Sequence, residues 1–237
     1  MRPMSSMGSW LGVVLIGAAL MQSHVAFGQS PPSNCGPLEN GYGPYDYRTD
    51  KEKLPIVLGA HFTPIVEQLI RGTTNTTPGG DIDYTLRAIP NNPRALWSMM
   101  RLAEREKTEK PSGSRYTVEC WFDRALRFRP DDHVVRMLYV TYLTKAGSRK
   151  TEAMQHLEFV LKATNNNPFT YFNVGLLYSD LNEYDLALVQ AHKAMELGLT
   201  RVELRDKLKA AGKWQDPASS AAQGAQSGPA AAASAAD

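Results

Sequence analysis

The sequence predicts an all-α chain: a short α-solenoid of about three helix-turn-helix repeats, preceded by an irregular segment and closed by a capping helix. Three observations lead there. First, Asn167–Thr200 reads as a complete helical hairpin. Asn167 before Pro168 is an N-cap and first-turn proline pair, and Tyr171, Val174, Gly175 and Tyr178 follow at three- and four-residue steps. After a polar break at 180–183 a second stripe runs through Tyr184, Ala187, Leu188, Ala191, Ala194 and Met195, and Gly198 stands where a C-terminal glycine cap belongs. Second, apolar positions return at a fixed interval. Ala153 to Ala187, Val160 to Ala194 and Leu161 to Met195 are each 34 residues apart, and Ala125 to Val160 is 35, one more in the turn near Gly147. A period of that length marks stacked supersecondary units. Third, Asn91-Asn92-Pro93, Pro130-Asp131-Asp132 and Asn167-Pro168 punctuate the chain where one hairpin stops and the next is capped.

From the N-terminus, Met1–Gly28 carries Arg2, an apolar run from Trp10 to Met21 and Ala26-Phe27-Gly28, and is expected to be a signal peptide cut after Gly28. Its apolar run is shorter than the roughly 20 residues a membrane span needs. Residues 29–80 are expected to be an irregular N-terminal segment, an ordered coil on the helical body that holds one short helix, with Thr63 as N-cap, running to Ile70 and closed by Gly72. Asn75-Thr76-Thr77 has the form of a glycosylation sequon. The helical domain is expected over 81–214. Asp81 would cap a half-repeat helix from Ile82 to Ala88, and Asp83 would sit on an exposed turn of it.

Repeats follow at about 93–130, 131–167 and 168–200. The first places Leu96, Met99, Met100 and Ala103 on one helix and Val118, Phe122, Ala125, Leu126 and Phe128 on the other, across a long charged loop, Lys107–Ser114. The second carries Tyr139, Val140 and Leu143, then Ala153, Leu157, Val160 and Leu161. Residues 201–212, charged except for Val202, Leu204 and Leu208, suit a capping helix with a polar outer face. The Ala/Ser/Gly tail, 215–237, has too little apolar bulk to offset its ordering entropy and is expected to be disordered.

The third repeat, with small Gly175 and Ala187 at the helix contact, the aromatics Tyr178 and Tyr184, and Ala187 with Ala191 on the second helix, resembles the tetratricopeptide repeat family. Leu199 stands where that family has a terminal proline. The resemblance implies a concave groove lined by the first helices of the repeats. Counted from Pro168, its ligand-facing positions fall on Phe169, Phe172, Asn173, Leu176 and Asp180. Counted from His133, they fall on Val134, Met137, Leu138, Thr141 and Lys145. Asn173 matches the asparagine that in such repeats holds a peptide backbone.

Basic and acidic residues number 26 and 24, and removing Arg2 with the leader takes the net charge from +2 to +1, so no face of one sign is forced and nucleic acid is not an expected partner. Beyond the leader there are two cysteines, Cys35 and Cys120. In an oxidising compartment they are expected to pair, closing a loop worth roughly 4 kcal/mol; two free thiols or a lipidated Cys35 are the alternatives. No metal-ligand spacing, phosphate loop or nucleophile elbow occurs, so no catalytic residue, metal or cofactor is expected. The reading is an exported, non-enzymatic scaffold, periplasmic or extracellular, that binds a protein or peptide in its groove. Three alternatives stand beside it: a groove filled by the N-terminal coil, a plain spacer, and an enzyme or small-ligand site built by residues 35–80 around His61 and Tyr45.

Overall fold

The computed structural model describes residues 35–75, 77–147 and 149–217. The expected leader and the expected tail beyond residue 217 lie outside these. Among the described residues all regular structure is helical, in ten helices: α1 Leu54–His61, α2 Pro64–Glu67, α3 Pro78–Ala88, α4 Pro93–Glu106, α5 Val118–Phe128, α6 His133–Ala146, α7 Lys150–Ala163, α8 Pro168–Asp180, α9 Tyr184–Glu196 and α10 Glu203–Ala210.

The three junction residues singled out by the sequence act as caps. Asn92 accepts hydrogen bonds from the N–H groups of Arg94 and Ala95, Asp132 from Val134 and Val135, and Asn167 from Phe169 and Thr170. Each satisfies helix-terminal donors that would otherwise be orphaned, worth about 1 kcal/mol apiece. Gly147 and Gly198 end α6 and the turn after α9 in the left-handed region, at φ 77° and 86°. α6 packs on α7 and α8 on α9 as tight hairpins, and α4, α6 and α8 also touch in series. One continuous core runs from Phe62 and Val66 through every hairpin to Leu208. Two of the three pairs spaced 34 apart occupy matching places in it: Ala153 and Ala187 are both fully buried, as are Val160 and, nearly so, Ala194, whereas Leu161 packs on the core and Met195 is 41 % exposed.

The described coil before α1, from Cys35, lies on this body. Cys35 and Cys120 are joined by a disulfide. Arg124, buried to within 1 % of its surface, donates from Nη1 to the carbonyls of Cys35 (2.9 Å) and Pro37 (2.5 Å) and stacks over Tyr116 and Trp121. Tyr45 N donates to the Ala88 carbonyl at 2.9 Å.

Four expectations are corrected. The segment before Thr63 is not all coil, because LPIVLGAH forms α1, held by Leu54 and Val57 against Ala88 and Ile89. The helix after Thr63 ends at Glu67 rather than Ile70, since Leu69 turns into the left-handed region at φ 63°. α3 begins at Pro78, so Asp81 lies inside the helix and is not its cap. Asp83 is buried rather than exposed: it accepts from Arg87 Nε at 3.0 Å and from the Arg115 N–H at 2.7 Å.

Candidate functional site

α4, α6 and α8 each turn one stripe of side chains away from their hairpin partners. Three- and four-residue steps put Trp97, Arg101 and Glu104 on the stripe of α4, Val134, Leu138, Thr141 and Lys145 on that of α6, and Phe169, Asn173, Leu176 and Asp180 on that of α8. The start of each stripe is apolar and open to solvent: Trp97 is 39 % exposed, Val134 49 % and Phe169 53 %. The far ends are charged and already paired inside the molecule. Lys145 binds Glu104 and lies 5.7 Å over the Trp97 ring, while Asp180 binds Lys207 of α10.

The expected groove residues divide accordingly. Phe169 and Asn173 are exposed, and the Asn173 amide makes no hydrogen bond among the described residues. Met137 and Leu176 are half-buried against the core, and Thr141 donates its hydroxyl to the Met137 carbonyl at 3.2 Å. Phe172 departs from expectation. It is 3 % exposed, with Arg201 4.8 Å over its ring and Leu199 and Leu204 around it. Phe172, Gly175 and Ser179 form the face of α8 against which α10 packs, so the capping helix covers this phenylalanine. Among the described residues the N-terminal coil makes its bonds to α3, α5 and the junctions before α4 and α6, not to the groove residues. Trp97 and Arg101 belong to the same face, and the count applied from Pro93, as from His133 and Pro168, would have found them.

Beside this face lies a cleft of about 420 Å³, lined by Met100, Ala103, Glu104 and Lys107 of α4 and its end, Thr108 and Glu109 of the following loop, Val118 of α5, and Tyr142 and Lys145 of α6. Burial pushes the Tyr142 hydroxyl pKa up, and the nearby Glu119 and Glu109 carboxylates add to it, so the phenol stays neutral.

His61 and Tyr45, the other expected centre, sit around one small cluster of Leu54, Val57, Ala88 and Ile89. Tyr45 packs into it, and Tyr84, at its edge, stacks on the His61 ring at 4.0 Å. His61 Nδ1 is 3.0 Å from Oδ1 of the fully buried Asp81. Asp81 also accepts from the N–H groups of Thr73 (2.6 Å), Thr74 and Asn75 (3.2 Å each), from the Asn75 amide (2.7 Å) and from the Thr74 hydroxyl. Burial raises its pKa, but these donors outweigh burial and hold the carboxyl well below the usual range. Thr74 Oγ1 approaches the same imidazole nitrogen, Nδ1, at 2.8 Å. Hydroxyl and carboxylate thus share one side of the ring, which fastens a loop and is not the arrangement of a relay from acid through imidazole to nucleophile.

No helix among the described residues is long and apolar enough to cross a membrane. No protein-family model, curated protein or solved structure matches the chain.

Proposed function

We propose that this chain is an exported, non-enzymatic interaction module of tetratricopeptide type that holds an extended segment of a protein partner along the outer face of α4, α6 and α8. The observation that carries the reading is the row Trp97, Val134 and Phe169. Three large apolar side chains stay in solvent near the starts of three helices that touch in series, above a core that is complete without them. A single exposed apolar residue needs no explanation. Three on one face, Val134 and Phe169 each second in its helix and Trp97 one turn further along α4, with the uncommitted Asn173 amide one turn beyond Phe169, have the composition of an interface centre, where bulky apolar anchors supply most of the affinity and amides hold the backbone.

The repeat assignment is supported by the equal burial of Ala153 and Ala187, one period apart, and by the serial contact of the first helices. Export is supported by the Cys35–Cys120 disulfide, a bond that persists in oxidising compartments such as a periplasm or the extracellular space. The test is affinity capture in the native compartment. Phe169→Asp combined with Asn173→Ala removes one anchor and one amide from the solvent side only, so far-UV circular dichroism stays unchanged while the captured partner falls at least tenfold. Equal capture by the variant refutes the reading.

A further inference from the structure

The cleft beside the row of exposed side chains has a structural origin of its own. α6 joins α7, and α8 joins α9, through three residues each, 147–149 and 181–183, whereas 107–117, eleven residues, separate α4 from α5. The long connection splays the first hairpin: α4 and α5 touch far less than the partners in the other two. The space left over is the 420 Å³ cleft, within the range of sites that bind small apolar groups. Its floor is Met100, Ala103, Val118 and the ring of Tyr142, which is braced by Phe122 (5.9 Å) and Tyr139 (6.1 Å).

The rim decides what can enter. Glu104 and Lys145 neutralise each other, and Lys107 and Glu109 contribute one charge of each sign, so the four ionised groups on the rim sum to zero. A charged group entering would lose its hydration and, whichever its sign, would meet a like charge beside the unlike one, since Lys107 and Glu109 stand on the same rim. An uncharged apolar group would lose little hydration and gain roughly 25 cal/mol for each Å² it removes from water. Lys145 and Glu104 also connect the cleft to the row, since Lys145 reaches over the Trp97 ring at 5.7 Å.

We propose that this cleft is the pocket for a large uncharged apolar side chain, leucine, methionine or phenylalanine, of a partner segment lying across α4, α6 and α8. The inference rests on the face being a docking surface and adds which chemistry the partner brings to it. Neutral apolar residues at the matching point of the partner therefore bind, and acidic or basic ones are rejected.

The test uses the whole chain without its leader, labelled at the methionine methyl groups for NMR, and four capped amino acids as probes. N-acetyl-phenylalaninamide and N-acetyl-leucinamide shift the Met100 methyl resonance in a saturable way, while N-acetyl-glutamate amide and N-acetyl-lysine amide at the same concentration leave it in place. Ala103→Phe fills the cleft from its floor and Thr108→Trp from its rim; each abolishes the shift. Because Ala103 contacts the core, the rim variant decides the matter should the floor variant fail to fold. Equal shifts from charged and uncharged probes, or an undiminished shift in folded Thr108→Trp, overturn the inference. Affinity capture separates the two levels. If capture depends on Phe169 but is untouched by both cleft variants, the face stands and the cleft falls. If Phe169 is irrelevant to capture, the face itself falls.

Discussion

Replacing Cys35 and Cys120 together by alanine isolates what the disulfide contributes, because other contacts hold the same coil in place. Arg124 grips the Cys35 and Pro37 carbonyls, and Tyr45 bonds to Ala88. The folded state therefore changes little, and the effect falls on the unfolded chain. The bridge spans a sequence separation of 85. In the loop-entropy description a closure of that length is worth about 4–5 kcal/mol at 25 °C, since the cost grows only with the logarithm of loop length. The assay is urea unfolding followed by circular dichroism. With a denaturant slope of about 2 kcal/mol per molar, the midpoint falls by about 2 M. Wild type with a reductant should follow the double variant. A difference below about 1 kcal/mol between bridged and unbridged chains refutes the reasoning: the coil would then be tied to the helices as firmly in the unfolded ensemble, or the bridge would be offset by strain.

Three further outcomes follow from the packing and the titrating groups. A Cβ on Gly175 would run into the Leu204 side chain and come within 3.2 Å of Gln190 Cβ, so Gly175→Ala should cost about 1–3 kcal/mol in thermal unfolding. His156 is held near pKa 4, below its ordinary 6.5, by burial first and by Arg136 second, with Glu152 opposing. Its neutral ring accepts a hydrogen bond from Arg136 at 3.0 Å. The folded state binds fewer protons than the unfolded state between those two values, so stability is full above about pH 6.5 and is lost as pH falls towards 4, by up to about 3 kcal/mol; His156→Gln should flatten that limb of a pH–stability profile. Asp81→Asn turns an acceptor for three backbone N–H groups and His61 into a group with donors of its own, and should cost about 2–4 kcal/mol at pH 7. Wild-type stability contributed by Asp81 is present above the ordinary carboxylate pKa and lost only in stronger acid, a window separate from that of His156.

What was legible in the sequence was local. Asn92, Asp132 and Asn167 announced the starts of α4, α6 and α8 because a short acceptor before a helix does its work within three residues. The 34-residue returns were legible because Ala153 and Ala187, and Val160 and Ala194, are small or β-branched residues buried on the second helices of successive hairpins. The failures share a cause: the deciding partner lies far along the chain. LPIVLGAH places Leu54, Val57 and Leu58 at helical steps, but the exposed Ile56 beside them blurs the stripe, and the residues that hold α1, Ala88 and Ile89, are remote. Asp81 looked like a cap, yet the N–H groups it serves belong to the loop before its helix. Phe172 looked exposed because nothing near it in sequence covers it; the cover is Leu204, and the small Gly175 beside it was the available hint that another helix comes close. The cleft was half visible, since the sequence shows the long Lys107–Ser114 loop but not the space that such a loop opens.

The geometry of the candidate face is itself set by a polar device on the coil. Asp46, buried to 1 % of its surface, accepts from Asn91 (2.7 Å), Arg48 (3.0 Å) and Arg129 (2.6 Å). The same Asn91 amide donates to Asp132 at 2.9 Å, and Asn91 Oδ1 accepts from the Tyr47 N–H at 2.9 Å. Asn91 and Asp132 stand at the two junctions, immediately before the caps and first turns of α4 and α6, so the coil cross-braces the entry points of both helices. Burial raises the Asp46 pKa, but the Arg48, Asn91 and Arg129 hydrogen bonds more than offset it, and the brace keeps its charge through the neutral range. A buried, fully bonded carboxylate of this kind favours one arrangement of its neighbours more than it adds stability. Here the arrangement fixed is the spacing of Trp97 from Val134. No such brace reaches Asn167, whose bonds are to its own helix, and α8 is positioned by apolar packing and by the Asp180–Lys207 pair instead. Two of the three exposed side chains therefore stand on helices cross-braced at their entry points by the coil, and the third stands on a helix held by packing and by the Asp180–Lys207 pair.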